Sequence, residues 1–345
     1  MPWRRPLVFD AATEPTSPER TAESEQGMQN PSYGHPRMTE ALADSNTPAA
    51  EPDFGARRFT PGAVALSVMI SIFWATNPTA LKLALRGFPP IGSAGLRFAI
   101  AAIGVWGWCA ATRVRAWPRP GELRWLAVVG AFFTAQIATF SLGVYLGTAS
   151  HSIVILHTYP FFVVALAHFL IPGDRATPGR IAGLVAAFTG VLALFIGDWG
   201  GWHGRQFLGD AVQLLSALVL GAQIVYTKHA VARIDSDRVV LWQMLIGAPL
   251  FLAYSLIFEH LAGVRPPALS IAAVVYQGLV IGTLCFTIWT FLIRRHSASA
   301  VAIFGFIAPV VGVFLSALVL GEPLSPSLLL SAGLVAAGIV LANIW

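Results

Sequence analysis

From Pro61 onward the chain is a train of ten apolar runs of about 20 residues, joined by short polar links. A helix of that length, rising 1.5 Å per residue, covers the ~30 Å of a bilayer's hydrocarbon. The runs fall at roughly 62–83, 90–111, 125–146, 151–171, 178–197, 208–230, 239–259, 270–292, 298–319 and 325–345. A soluble domain carries about 25% charged residues, whereas this chain of 345 residues carries 11% and is 56% hydrophobic. That balance leaves too little polar surface to cover a soluble core, so the expected class is an all-α polytopic membrane protein. Pro, Gly and charge punctuate most links, as at Gly87-Phe88-Pro89-Pro90 and Arg265-Pro266-Pro267. The links are short, so sequential helices are expected to pack as antiparallel hairpins.

The runs repeat. In Ser150–Ala193 an apolar run is broken by Tyr159-Pro160, ends at Pro172-Gly173-Asp174 and restarts at Thr177-Pro178 before Gly183-Leu184-Val185-Ala186-Ala187. In Ser299–Ala342 the break is Ala308-Pro309, the end Gly321-Glu322, the restart Ser325-Pro326, and Gly333-Leu334-Val335-Ala336-Ala337 repeats the pentapeptide. Duplication fixes architecture before any motif is read. Two halves are expected, 57–200 and 205–345, each of five helices. Residues 1–56, rich in Pro, Ser, Thr, Glu and Ala without apolar periodicity, read as a disordered tail. No apolar stretch follows Arg4-Arg5, so a cleaved signal peptide is not expected.

Basic residues orient the runs. With the N-terminus cytoplasmic, thirteen Lys and Arg of the links fall inside and four outside, Arg97 being left out as lying within a run. The positive-inside rule therefore places both termini in the cytoplasm, as expected for a multi-pass protein of the cytoplasmic membrane. Five helices per half is an odd number, which turns the second half upside down. Equivalent links should then carry opposite charge bias, and they do. The link after the second run holds four arginines and the link after the seventh only Arg265. Inverted repeats are how many secondary transporters build two access states.

Several short pieces then take on a shared meaning. They are Phe73-Trp74-Ala75-Thr76-Asn77 with Lys82, Leu96-Arg97-Phe98, Thr158-Tyr159-Pro160 with Gly173-Asp174-Arg175, and Ala308-Pro309 with Gly321-Glu322-Pro323. In order and spacing they resemble the ten-helix EamA-type members of the drug/metabolite transporter superfamily, over about residues 60–345. The resemblance implies a secondary carrier, often an exporter, of amino acids, nucleobases, vitamins, drugs and similar small organic solutes.

A carrier needs polar groups near the membrane midplane. The acids of the body fall at helix ends or in links, so no carboxylate relay is expected mid-span. His157 lies three residues before Pro160, which frees a backbone carbonyl. It reads either as glue between helices or as a substrate or proton site, and Tyr159 as packing or ligand. Trp74 and Asn77 share a face of the first run, and Gln223 matches Asn77 when Lys228 is aligned with Lys82. These amides suit a cavity wall or an interhelical hydrogen bond equally. Gln136 and Thr139, three apart, add polar groups in the third run, and Tyr226 joins Gln223 in the sixth. Gln243 and Gln277 sit nearer run ends. Arg97, eight residues into its run, either snorkels to the surface or meets an anionic group of the solute. Pro78, Pro160 and Pro309 are the expected hinges.

The pattern excludes other classes. Cys109 and Cys285 lie inside apolar runs, against a disulfide framework or a cysteine metal site. There is no Gly-x-Ser-x-Gly, no His-Glu-x-x-His and no mid-membrane acid pair, so an enzyme is not expected. Neither a cofactor nor a metal is expected. The expected partners are a small organic solute and membrane lipid, with a homodimer as a further option and no nucleic acid. A non-transporting receptor or scaffold is the alternative reading.

Overall fold

The structure, a computed structural model, describes residues 60–170, 178–197, 204–296 and 303–344. The tail call for residues 1–56 lies outside these. Among the described residues every regular element is helical: α1 Pro61–Ala84, α2 Pro90–Thr112, α3 Leu123–Leu146, α4 Ala149–Leu156, α5 Tyr159–Leu170, α6 Pro178–Gly197, α7 Gly204–Val231, α8 Ser236–Phe258, α9 Ala268–Tyr276, α10 Phe286–Arg295, α11 Ile307–Leu320 and α12 Pro326–Ile344. A π-helix, Gln277–Cys285, joins α9 to α10 without interruption, and a 3₁₀ turn at Ile303–Phe306 precedes α11.

All ten apolar runs contain helix. Seven stretches are long and apolar enough to cross a membrane, among them 149–166 and 268–295. The fifth, ninth and tenth runs are apolar over shorter helical stretches among the described residues. The outward side chains are themselves apolar. Ile103, Trp106, Phe169 and Leu318 are 69%, 62%, 82% and 85% exposed, a surface suited to lipid and costly in water.

Helix starts and stops follow local chemistry. Thr60 accepts a hydrogen bond from the Ala63 N–H ahead of Pro61, and Thr148 does the same for the His151 N–H ahead of α4. Arg113 ends α2 in the left-handed region at φ 58°.

The packing is antiparallel across the two halves. Both Glu259 carboxylate oxygens, at the end of α8, accept from Ile91 and Gly92 N–H at the start of α2, at 3.2 and 2.9 Å. At the other end of this pair Arg238, starting α8, donates to the Arg115 carbonyl and to Glu122, which precedes α3. Other contacts come in matched pairs as an exchange of halves requires. The α1 helix packs on α11 as α7 packs on α4 and α5, while α6 with α12 and α2 with α8 pair with their own counterparts.

Lys82, near the end of α1, donates to the Gly147 carbonyl beyond α3, and Lys228, near the end of α7, donates to the Ile293 and His296 carbonyls at the end of α10. Both cations thus neutralise the negative end of a helix in their own half. They are interhelical ties at opposite ends of the molecule.

Candidate solute-binding cavity

Where the two halves meet, side chains from α1, α2, α3, α4 and α5 face others from α7, α8 and the α9–π–α10 helix around about 950 Å³ of space, part of it open to solvent.

The first-half wall is built on breaks in helix geometry. The helical ladder is interrupted at His157–Thr158, where Thr158 N–H bonds the Ile155 carbonyl and Phe161 N–H the Thr158 carbonyl in tight turns. Pro160 then sits in the first turn of α5, where a missing N–H costs little. The helix is therefore fully interrupted ahead of Pro160, and the break aims His157 and Tyr159 inward. His157 Nδ1 lies 2.7 Å from the Ile153 carbonyl. A carbonyl only accepts, so Nδ1 carries a proton and Nε2 is left for another partner. Facing this break is Gly305, where a side chain would reach Tyr159 Oη and His157 within 3.4 and 3.7 Å. The repeated break before Pro309 thus approaches the break before Pro160. Pro309 likewise lies in the first turn of its helix, while Pro78 sits inside a continuous α1 and lines the cavity.

The second-half wall depends on the π-helix. Its wider turn advances the cavity-facing series Gln277, Ile281, Phe286 and Thr290 in steps of four, five and four. The step of five is the π spacing. Without it Phe286 and Trp289 would rotate away from Trp74, which they meet edge-on with centroids 6.0 and 4.9 Å apart. Gly278 and Gly282 let this helix lie against α2. A Cβ on Gly278 would come within 2.8 Å of the Arg97 carbonyl, and one on Gly282 within 2.5 Å of the Ala101 Cβ.

Of the nine residues singled out from sequence, seven line the cavity: His157, Tyr159, Asn77, Trp74, Gln136, Gln223 and Arg97. Thr139 and Tyr226 do not. Thr139 returns its hydroxyl to the Ala135 and Gln136 carbonyls, both at 2.9 Å. Tyr226 turns to Trp125 and Phe132, at ring distances of 5.4 and 5.9 Å. Gln243 and Gln277, read as near run ends, line the cavity as well. Gln277 Nε2 donates to Asn77 Oδ1 at 2.8 Å, and Gln223 Nε2 to Gln243 Oε1 at 3.4 Å. The Oε1 atoms of Gln223 and Gln277 have no hydrogen-bond partner. Buried acceptors of this kind cost ~1–3 kcal/mol each until a donor arrives.

Arg97 is 2% exposed and does not snorkel. Its guanidinium lies 4.8 and 5.8 Å from the Phe98 and Phe140 rings, one amino group stands 3.5 Å from Ser141 Oγ, and Nε is unpartnered. The acids among the described residues are engaged elsewhere. Glu259 and Glu322 cap α2 and α4, and Glu122 and Asp235 hold Arg238. Asp210 pairs with His151 at 2.9 Å and Asp237 accepts from Trp108 Nε1 at 3.2 Å. No cluster of His, Cys, Asp or Glu able to hold a metal occurs among the described residues.

Comparison with known proteins places this arrangement. The "Probable amino-acid metabolite efflux pump" of Escherichia coli (strain K12) is 28% identical over 79% of this chain and 92% of its own length. The "Probable terminal-alkyne amino-acid exporter" of Streptantibioticus cattleyicolor is also 28% identical, over 80% and 91%. The "Uncharacterized transporter YoaV" of Bacillus subtilis (strain 168) is 22% identical over 79% and 93%. A protein of known crystal structure superposes with TM-score 0.65 at 21% identity, over 83% of this chain and 98% of its own, a likeness of fold. Residues 61–196 and 207–344 each match the EamA-like transporter family. The chain belongs to that family and is a multi-pass membrane transporter.

Proposed function

We propose that this protein is a secondary exporter that carries small organic metabolites or drugs across the cytoplasmic membrane by alternating access, with both termini in the cytoplasm. The observation that carries the reading is the cavity between the halves, a mostly apolar space set with amide, imidazole and guanidinium groups, with walls drawn from both repeats. A polar solute entering it exchanges hydration for amide, imidazole and guanidinium partners. The relatives named as an efflux pump and an exporter support the outward direction.

In this reading the first to fourth and the sixth to ninth membrane runs rock about the discontinuities at Pro160 and Pro309 and about Pro78 in α1, opening the space to one side at a time. The thirteen-to-four bias of basic residues supports the orientation. The test is flux. Proteoliposomes holding the purified protein should release or accumulate members of a panel of small metabolites above empty vesicles. His157→Ala and Asn77→Ala should each lower that flux while reaching the membrane in normal amounts. Normal flux in both variants would remove these residues from the site, and absence of flux across the panel would leave a receptor or scaffold.

A further inference from the structure

Among the described residues lining the cavity only Arg97 has a side chain with a fixed charge, and no described carboxylate answers that charge. Transfer of an isolated cation into a dry interior is among the costliest operations in a fold, and buried charges are ordinarily paired. The weak contact with Ser141 and two aromatic faces falls short of a carboxylate's bidentate grip. The duplication sharpens the point. Asn77 and Gln223, Lys82 and Lys228, and Arg97 and Gln243 are each 146 residues apart. At the position equivalent to Arg97 the second half thus holds a neutral amide, so the shared framework is built without the cation. Its presence in one half alone fits the binding of an asymmetric ligand better than a structural requirement of the repeat.

We propose that Arg97 is the docking point for the carboxylate of the carried solute. The unpartnered Oε1 atoms of Gln223 and Gln277 take a donor group of the same molecule, and Trp74, Phe286 and Trp289 take its apolar part. The site is thus selective for amino or hydroxy carboxylates over their neutral or cationic derivatives. The proposal rests on the transport reading above for the passage of the solute, and on the unanswered charge for its chemistry.

The test uses full-length protein in proteoliposomes with the twenty common amino acids as probes, each solute moved being compared with its α-carboxamide. The acid should move about 10- to 100-fold faster than the amide, the scale of one charge-assisted hydrogen-bonding site. Arg97→Gln, which gives both halves an amide, should abolish that preference by slowing the acid. Arg97→Lys should restore part of it, since a point charge replaces a planar fork. Equal movement of acid and amide in the wild type, or wild-type flux of the acid in Arg97→Gln, overturns the proposal while leaving transport intact. Heat stabilisation of the detergent-solubilised wild type by an acid and not its amide, without flux of either, keeps the carboxylate site and overturns the transport reading. Neither flux nor stabilisation by any acid overturns the carboxylate site as well.

Discussion

The amides of the cavity work in couples rather than singly. Gln277 spends its donor on Asn77 and turns an unpartnered oxygen toward any donor that enters. Either residue truncated alone leaves the other misdirected, so the two should act as one unit. Asn77→Ala and Gln277→Ala are each expected to lower kcat/KM about 2- to 10-fold, the kinetic equivalent of one net hydrogen bond. The double variant should fall no further than the worse single one, and strictly multiplicative losses would show that the two act independently. Much of this was legible in the sequence, because a polar residue inside a 20-residue apolar run needs a reason to be there. What sequence could not supply was direction. Thr139 shares the i, i+3 offset from Gln136 that points to a common face, yet a hydroxyl can satisfy itself on its own helix. Gln277 was discounted as near a run end, although it lies ten residues into a continuous helix.

Irregular helix segments set which side chains face inward. The π segment shifts the phase of everything after Ile281, and a regular 3.6-residue repeat drawn through that run would misplace Phe286 and Thr290. Glycine at 278 and 282 marked the site of close approach, but Gly and small residues recur in most of the other runs, so the signal was diluted. The α4–α5 break was better marked, since a proline in mid-run, repeated in the second half, is uncommon without cause. In structure the proline begins a helix rather than bending one. Pro160→Ala restores an N–H able to bond the Leu156 carbonyl and so to join α4 to α5. Thermal stability is expected to rise by about 1 kcal/mol, the scale of one backbone hydrogen bond. If the break flexes during the cycle, turnover should fall several-fold with little change in solute affinity. An unchanged turnover number in proteoliposomes, with the higher Tm, would assign the break to cavity shape alone.

At the scale of the whole molecule, inversion of the second half follows from particular contacts. The link after α1 lies against the link after α8, where a Cβ on Gly87 would come within 2.6 Å of Pro267. The segment after α2 receives Arg238 and Trp242 from the start of α8, through the Arg115 and Ala116 carbonyls. The helix pair is therefore antiparallel, and the equivalent links after α2 and after α8 stand at opposite ends. Arg119 in the first and Arg265 in the second are both exposed, which makes them suitable reporters. The native Cys109 and Cys285 are buried and should stay silent toward a membrane-impermeant thiol reagent. Arg119→Cys and Arg265→Cys, made separately, are expected to report opposite sides of the membrane in intact cells. Position 265 should be the externally labelled one, because the link after α2 carries the denser positive charge that the cytoplasmic side retains. Labelling of both from one side would contradict the antiparallel pairing of α2 with α8, and with it the alternating opening of the cavity. Reversal of the two sides would preserve the fold and the cavity and place both termini outside, against the orientation drawn from the basic residues.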